Sequence, residues 1–379
     1  MPTGNLFDWV SLNLLPGLGP ISHHRALERW GDPGEIAYRL PARALQSLPR
    51  MSGKRLEALL SARRALRRRA EREMRLAEKL GLRLVPWGDP AYPAALVDLP
   101  DPPILLYLRG DLPEGVARIA VIGSRHATLY GQRVATGLGQ GLAARGVELV
   151  SGGARGIDTC AHVGALQDGG RTVAVLGSGF SHIYPEENEE LFERISESGA
   201  VLSEFPLDCT PRRENFPRRN RVISGLCAAV VVVEATRRSG SLVTAGHALE
   251  QGREVLAVPG PVSSDRSEGC HLLIQQGAKL VQSVEDIVEE LSPIYRGAMH
   301  QPAPVQSDGP DRISGLLPDE EVVLGMLDTV EPLQLDDLAQ RAPFSFARLQ
   351  TALFALEARG AIDSHPGCYY QRKSAGSLT

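Results

Sequence analysis

No stretch of the chain approaches the roughly 18–20 apolar residues that a membrane-spanning helix requires. The first twenty residues, MPTGNLFDWVSLNLLPGLGP, lack a basic region leading into an apolar run. A cytoplasmic protein without a secretory leader is therefore expected. Patterned cysteine is missing too: Cys160, Cys209, Cys227, Cys270 and Cys368 are scattered, with no CxxC. That argues against a disulfide framework and a structural zinc site, and suits a reducing compartment. Basic charge is not in excess. The net charge is -4, so any nucleic-acid site must be a local patch. There is no GxxxxGK[ST] and hence no P-loop. No nucleophile–base pair, paired carboxylates or metal cluster stands out, so neither catalysis nor a cofactor is expected.

What is present points to a large folded protein. The 379 residues are 43% hydrophobic, enough to build substantial cores in two or three domains. Residues 1–80 read as an N-terminal helical domain. Within it, Lys54 to Lys79 has helical spacing and carries ten Lys/Arg against four Glu; it reads either as a solvated face or as an auxiliary nucleic-acid or partner surface. Residues 81–110, with Pro86, Pro90, Pro93, Pro100, Pro102 and Pro103, read as an extended connector. From Arg118 short Val/Ile-rich runs alternate with helical segments. The expected strands are Ile119–Ile122, Glu148–Ser151, Thr172–Leu176, Val201–Ser203, Ala229–Val233 and Glu254–Val258, apolar on both faces as buried parallel strands are. Helices are expected to start near Tyr130, Ile157, Glu186, Arg218 and Ser241, with a last one at Val284–Glu290. This alternation predicts a doubly wound, mainly parallel, Rossmann-like α/β domain over 81–291 with its leading connector. A proline-rich linker, 292–318, follows. Three helices and a small hairpin over 319–372 have the pattern of a winged helix. Its third helix offers only Arg348 and Arg359 as bases, which favours a protein-interaction module over a DNA reader.

The chemistry lies at the strand ends. Gly123-Ser124-Arg125 follows the first strand. There the glycine permits close backbone approach, the serine can donate a hydrogen bond, and the arginine is a planar cation suited to phosphate. Ser151-Gly152-Gly153-Ala154-Arg155-Gly156 follows the second strand and predicts a turn of free N–H groups at a helix N-terminus, an anion site. Asp158 reads as a cap, and His162 as structural. Leu176-Gly177-Ser178-Gly179 is a short GxG with no trusted ribose ligand. Gly137, Gly139 and Gly141 fall inside a helix and predict close packing. Between Arg212 and Arg221 there are five Arg and one Glu. Here Arg218, Arg219 and Arg221 suit phosphates, Asn220 lies among them, and Phe216 offers a face to a base. Arginines at a helix N-terminus oppose the helix dipole unless an anion is near. Ser239-Gly240-Ser241 supplies a further capped helix start. All these segments fall at the C-terminal edge of one sheet, which predicts a single binding groove with cations and amides and without catalytic groups.

GSRHATLYG at 123–131, SGGARGID at 151–158, NFPRRNRVISGL at 215–226, SGSLVTAGHALEQGREVLAVPG at 239–260 and EGCHLLIQQGA at 268–278 resemble the DNA-processing protein A family, also called Smf. The resemblance spans essentially the whole chain. It implies an extended Rossmann fold with an N-terminal helical domain and, in many members, a C-terminal winged helix. It also implies single-stranded DNA binding, protection of incoming DNA in natural transformation, loading of the RecA recombinase, and a homodimer formed through the Rossmann domain. Carried over by motif, the phosphate contacts would be Arg125, the glycine turn at 151–156 and Arg218 to Arg221, with Phe216 stacking on a base. Two other classes compete. One is a hydrolase of the related fold that splits the base–ribose bond of nucleoside monophosphates (a phosphoribohydrolase). It needs a PGGxGT turn followed by a glutamate on the next helix; here the place reads SGSLVTAGHALE, and Glu250 lies too far along. The other is a nucleotide sensor whose winged helix regulates transcription.

Overall fold

The structure, a computed structural model, describes residues 4–291, 293, 316–328, 332–365 and 367–373. The chain divides into two compact units, Met1–Pro302 and Ala303–Thr379. Most of the expected linker, 292–318, lies outside the described residues, as does Pro366 of the expected hairpin turn.

The first unit is built on a nine-stranded sheet. Its strands are β1 (Arg83–Pro86), β2 (Leu105–Gly110), β3 (Arg118–Ile122), β4 (Glu148–Ser151), β5 (Thr172–Val175), β6 (Ala200–Ser203), β7 (Ala229–Val232), β8 (Glu254–Ala257) and β9 (Lys279–Leu280). They lie in the order β1-β2-β6-β5-β4-β3-β7-β8-β9. The seven from β6 to β9 in that order are parallel; β1 and β2 are added antiparallel at one edge. The chain builds outward from β3 to β6 and then returns to place β7 on the other side of β3. That return creates a switch point at the C-terminal ends of β3 and β7, where open sheets of this class bind ligands. Residues 81–110 thus differ from the connector expected of them. Their prolines bound or separate two strands, and Leu105 to Leu108 are buried because sheet and helices cover both sides of β2.

Helices cover both faces, and the first unit also holds α1 (Leu6–Asn13), α2 (Pro20–Trp30), α3 (Ala42–Gln46), α6 (Ala94–Val97) and α9 (Glu189–Ser198). Helices α7 (Leu129–Ala144), α8 (Ile157–Leu166) and α13 (Val284–Glu290) share a core with Ile119, Val121, Leu149 and Val231 on one face. On the other, α10 (Asn215–Gly225), α11 (Gly240–Glu250) and α12 (Glu268–Gln275) pack on Ala120, Val150, Val173 and Val230. The starts of α7, α11 and α13 are fixed by side-chain caps from Thr128, Ser239 and Ser283, which satisfy first-turn N–H groups. The N-terminal helices, among them α4 (Gly53–Arg63) and α5 (Leu66–Lys79), do not stand apart from the sheet. Trp9, Leu66 and Ala70 share a core with Tyr107 of β2, Phe180 and Leu207. The buried Glu73 carboxylate of α5 accepts hydrogen bonds from the Tyr107 hydroxyl at 2.8 Å and from the Leu207 N–H at 2.7 Å. The expected single run from Lys54 to Lys79 is broken at Arg64-Ala65, where the chain turns between the two helices.

The second unit contains helices Pro318–Met326, Leu335–Arg341 and Phe346–Ala358 and a three-stranded sheet of Leu333–Gln334, Tyr369–Arg372 and Ile362–His365, in that order. Its core is Val323, Leu324, Leu338, Leu349, Leu353, Leu356 and Ile362. This is the winged-helix arrangement.

The GxGxG of α7 resolves into three different environments. A Cβ on Gly139 would collide with the α8 backbone at Ala161, and one on Gly141 would strike the Val284 side chain; one on Gly137 would meet nothing within 4 Å. On α8, Gly164 answers Gly139: a Cβ there would collide with the Thr136 carbonyl. Gly164→Val should therefore lower the urea midpoint by an amount equivalent to about 1–3 kcal/mol through overpacking. Gly137→Ala should raise it slightly, because the position is exposed and open and the substitution restricts chiefly the unfolded chain.

Candidate nucleic-acid interface

A cleft of about 720 Å³ opens at the C-terminal edge of the parallel strands. Gly123, Ser124 and Arg125 border it after β3, and Ala154 and Asp158 after β4. Tyr184 comes after β5, and Arg213, Phe216, Arg219 and Asn220 come from α10 and the loop before it. Thr236, Ser239, Gly240, Ser241 and Thr244 follow β7. The segments expected at one edge are thus gathered around one cavity, but their side chains take unequal parts.

Three features of this edge that suit an anion, among them the glycine turn expected to be open, are filled by the protein's own carboxylates. In the glycine turn, Ser151, Gly152 and Gly153 are buried. The N–H groups of Gly152 and Ala154 donate to Asp158 at 3.2 and 3.3 Å. Its glycines answer packing: a Cβ on Gly153 would enter the Phe192 ring, and one on Gly156, at φ 78°, would strike the Ser124 and Arg125 carbonyls. At the start of α7, where a dinucleotide-binding sheet places the pyrophosphate, the buried Glu234 accepts from the Thr128 N–H at 3.0 Å and from its hydroxyl. A Cβ on Gly131 would collide with the same carboxylate. At α10 the counter-anion that its arginines call for is the buried Glu204, which lies 2.9 Å from Arg218 and 2.7 Å from Arg221. Arg221 also pairs with Asp101 at 3.2 Å.

Arg219 and Arg221 therefore differ from the expectation that they reach a bound strand. Each is only 4% exposed. Arg219 donates to the Gly152 carbonyl at 2.8 Å and to the Val175 carbonyl, beneath the cleft. Burial pulls its pKa down to about 10, partly offset by the Asp158 carboxylate, so it stays cationic at neutral pH. Arg218 is part-exposed but committed to Glu204 and stacked 4.9 Å from the Phe205 ring centroid. Arg155 is exposed, but Glu187 holds it in two hydrogen bonds and the Tyr184 hydroxyl in a third. Ser239 caps α11 and bonds Ser241 at 2.6 Å, and Asn220 donates to the Gly240 carbonyl at 3.4 Å. Ser124 accepts from the His126 N–H and from Arg266 at 3.2 Å.

Of the cations that line the cleft among the described residues, two remain open to a ligand. Arg125 and Arg213 are exposed and have no carboxylate partner among the described residues. The Arg125 guanidinium lies 5.0 Å from the centroid of the half-buried Phe216 ring. Arg219 lies 5.9 Å from the same centroid, and the Tyr184 ring is tilted against Phe216 at 5.8 Å. Phe216 is thus held by cations whose attraction to its face is electrostatic. Sequence reasoning missed Tyr184, Glu204 and Glu234 as parts of this edge. A signal existed for the two glutamates: each is a charged residue within two positions of the end of a buried strand. Nothing local marked Tyr184.

His162 is fully buried on α8, and its Nδ1 is 2.8 Å from the Thr172 hydroxyl. Burial and the Arg219 charge push its pKa down to about 3. His23 is also lowered to about 3, by burial and then by Arg218. Both are neutral in the fold and become protonated first in the unfolded chain. Stability is therefore complete above the ordinary histidine value of 6.5 and is lost as pH falls from there toward 3. The slope should approach about 1.4 kcal/mol per pH unit for each histidine. Urea midpoints measured from pH 7 to pH 4 should fall less steeply in His162→Gln than in the unsubstituted protein.

Comparison with known proteins supplies an independent line. The family model described as DNA recombination-mediator protein A matches residues 83–292, and that described as DprA winged helix domain matches residues 303–368. The chain is 44% identical over 297 residues to Protein Smf of Escherichia coli, covering 77% of this chain and 78% of that protein. It is 45% identical over 203 residues to DNA processing protein DprA of Streptococcus pneumoniae, covering 53% of this chain and 72% of that one. The solved X-ray structure of DNA processing protein A from Streptococcus pneumoniae superposes with a TM-score of 0.66 at 33% identity, over 77% of this chain and 99% of that one.

Proposed function

The chain belongs to the DNA recombination-mediator protein A family, and on that premise we propose that it binds single-stranded DNA in the cleft between β3 and β7 without catalysing a reaction. In this reading it is a cytoplasmic homodimer that protects incoming DNA and loads the RecA recombinase on it during natural transformation. Family membership supports those last roles. The cleft itself supports the binding mode.

The observation that carries the reading is the pairing of Phe216 with Arg125. An aromatic face and an un-neutralised guanidinium stand together at the mouth of the cleft. A single strand presents both partners at once, an unstacked base for the ring and a phosphate for the cation. Duplex DNA keeps its base faces stacked inside and offers only the phosphate.

The occupied anion sites weigh against a nucleotide-cleaving enzyme. Glu234 fills the start of α7, and Asp158 is spent on the glycine turn. Glu250 sits at the end of α11 and lines a different hollow with Arg118 and Arg253, away from the cleft. Incubation with AMP should accordingly release no adenine.

Phe216→Ala should weaken single-strand binding by about 1–3 kcal/mol, roughly five- to 150-fold. Arg125→Ala should weaken it too, and should lower the slope of log K against log salt by about 0.7 for one lost phosphate contact. Wild-type affinity in both variants would place the strand elsewhere.

A further inference from the structure

The basic helix α5 takes no part in the cleft, yet its charge is sorted in a way that packing does not require. Its buried stripe is Leu66, Ala70, Glu73 and Ala77. At 100° per residue, Arg68, Arg72, Arg75 and Lys79 fall within about 60° of one another on the opposite face. All four are exposed. They form a ladder about 16 Å long in which each step is three or four residues. The exposed acids Glu71 and Glu78 lie on one flank, outside the ladder. Among the described residues none of the four basic side chains has an ion-pair partner. Like charges at i,i+4 cost a helix about 0.2–0.5 kcal/mol per pair, and Arg68–Arg72 and Arg75–Lys79 are two such pairs.

The helix that carries this face is anchored, on its buried side, to the loop that leads into the cleft. Glu73, on the buried side of the same helix turn as Arg72, accepts the Leu207 N–H at 2.7 Å. From Leu207 the chain runs to Arg213 at the cleft mouth, six residues on and so at most about 21 Å away. That loop is itself pinned, because Ser181 N–H donates to the Leu207 carbonyl and Gly179 N–H to that of Cys209. A strand leaving the cleft across Arg213 would pass from this loop around the flank of α5 to reach the crest, which faces away from Leu207.

We propose that the Arg68–Lys79 face of α5 is a second contact for the sugar–phosphate backbone of the strand held in the cleft, extending the footprint beyond it. The inference rests on the single-strand reading of the cleft. A row of arginines with no aromatic or apolar residue among them suits phosphates, without base readout. The exposed crest offers nothing for the apolar centre that an acidic protein partner would bury.

The test compares the full-length protein with Arg68→Gln/Arg72→Gln/Arg75→Gln, and with the same three positions changed to Glu. The probes are oligothymidylates of about six nucleotides, enough for a cleft of this kind, and about thirty. Melting temperature checks the fold. The Gln variant should bind the short strand as the unsubstituted protein does. Its affinity for the long strand should fall on the order of tenfold, with the salt slope reduced by about 2 for three lost contacts. The Glu variant should lose more on the long strand alone. Unchanged binding of the long strand in both variants would overturn the proposal and leave the face to an acidic protein. Equal losses on both lengths would also overturn it, because the substitutions would then act through the cleft. If the unsubstituted protein ignored the short strand while the long strand stayed sensitive to α5, the cleft reading would fail and the helix contact would stand. Binding of neither length by the unsubstituted protein would remove both.

Discussion

Arg219 is the constraint on which the binding edge depends. Its guanidinium ties α10 to the carbonyls of Gly152 after β4 and Val175 at the end of β5, and it lies beneath the Phe216 ring's own neighbourhood. A cation this buried is costly unless hydrogen bonds and a counter-charge accompany it. Here two carbonyls and the field of Asp158 accompany it. The same Asp158 closes the glycine turn, so turn, strand ends and helix form one electrostatic unit. Phe216, three residues before Arg219 on α10, is held where that unit puts it. The ring is thus fixed at the cleft together with the Arg125 guanidinium that lies over it.

A second consequence is that the protein supplies its own anions wherever a nucleotide-binding sheet would take them from a ligand. Asp158, Glu204 and Glu234 each occupy a place that the strand-turn-helix pattern reserves for negative charge. What is left for an external anion is the exposed rim, Arg125 and Arg213, beside an aromatic ring. This division separates structural charge below the cleft from binding charge at its edge. It fits a long polyanion that lies across a surface better than a small phosphorylated molecule enclosed in a pocket.

Much of this was legible in the sequence. Buried parallel strands are apolar throughout, so the runs at Ile119–Ile122, Ala229–Val233 and their neighbours stood out within a residue or so of the observed ends. The start of α11 was marked by its Ser239 cap, and the winged helix by its order of elements. The strands Arg83–Pro86 and Leu105–Gly110 were hidden by the prolines around them, which argue locally against strand while doing no more than bounding it. In the site, residue type gave the presence of five arginines but not their fate. An arginine committed to a buried carboxylate and one facing solvent have the same local sequence. Only the fold brings Glu204, from the end of β6, to Arg218 and Arg221, and Gly152 to Arg219. Tyr184 reaches Phe216 across a separation of thirty-two residues that no local pattern encodes.

The central claim is that the cleft takes one unpaired strand through a phosphate and a base together. The most direct test is a titration of the unsubstituted protein into labelled single-stranded and double-stranded oligonucleotides of the same length at two salt concentrations, followed by anisotropy with the integrity of the DNA checked. The account predicts tighter, salt-sensitive binding to the single strand, with the DNA left intact. Equal affinity for duplex and single strand, or no binding to either by a folded protein, would contradict it.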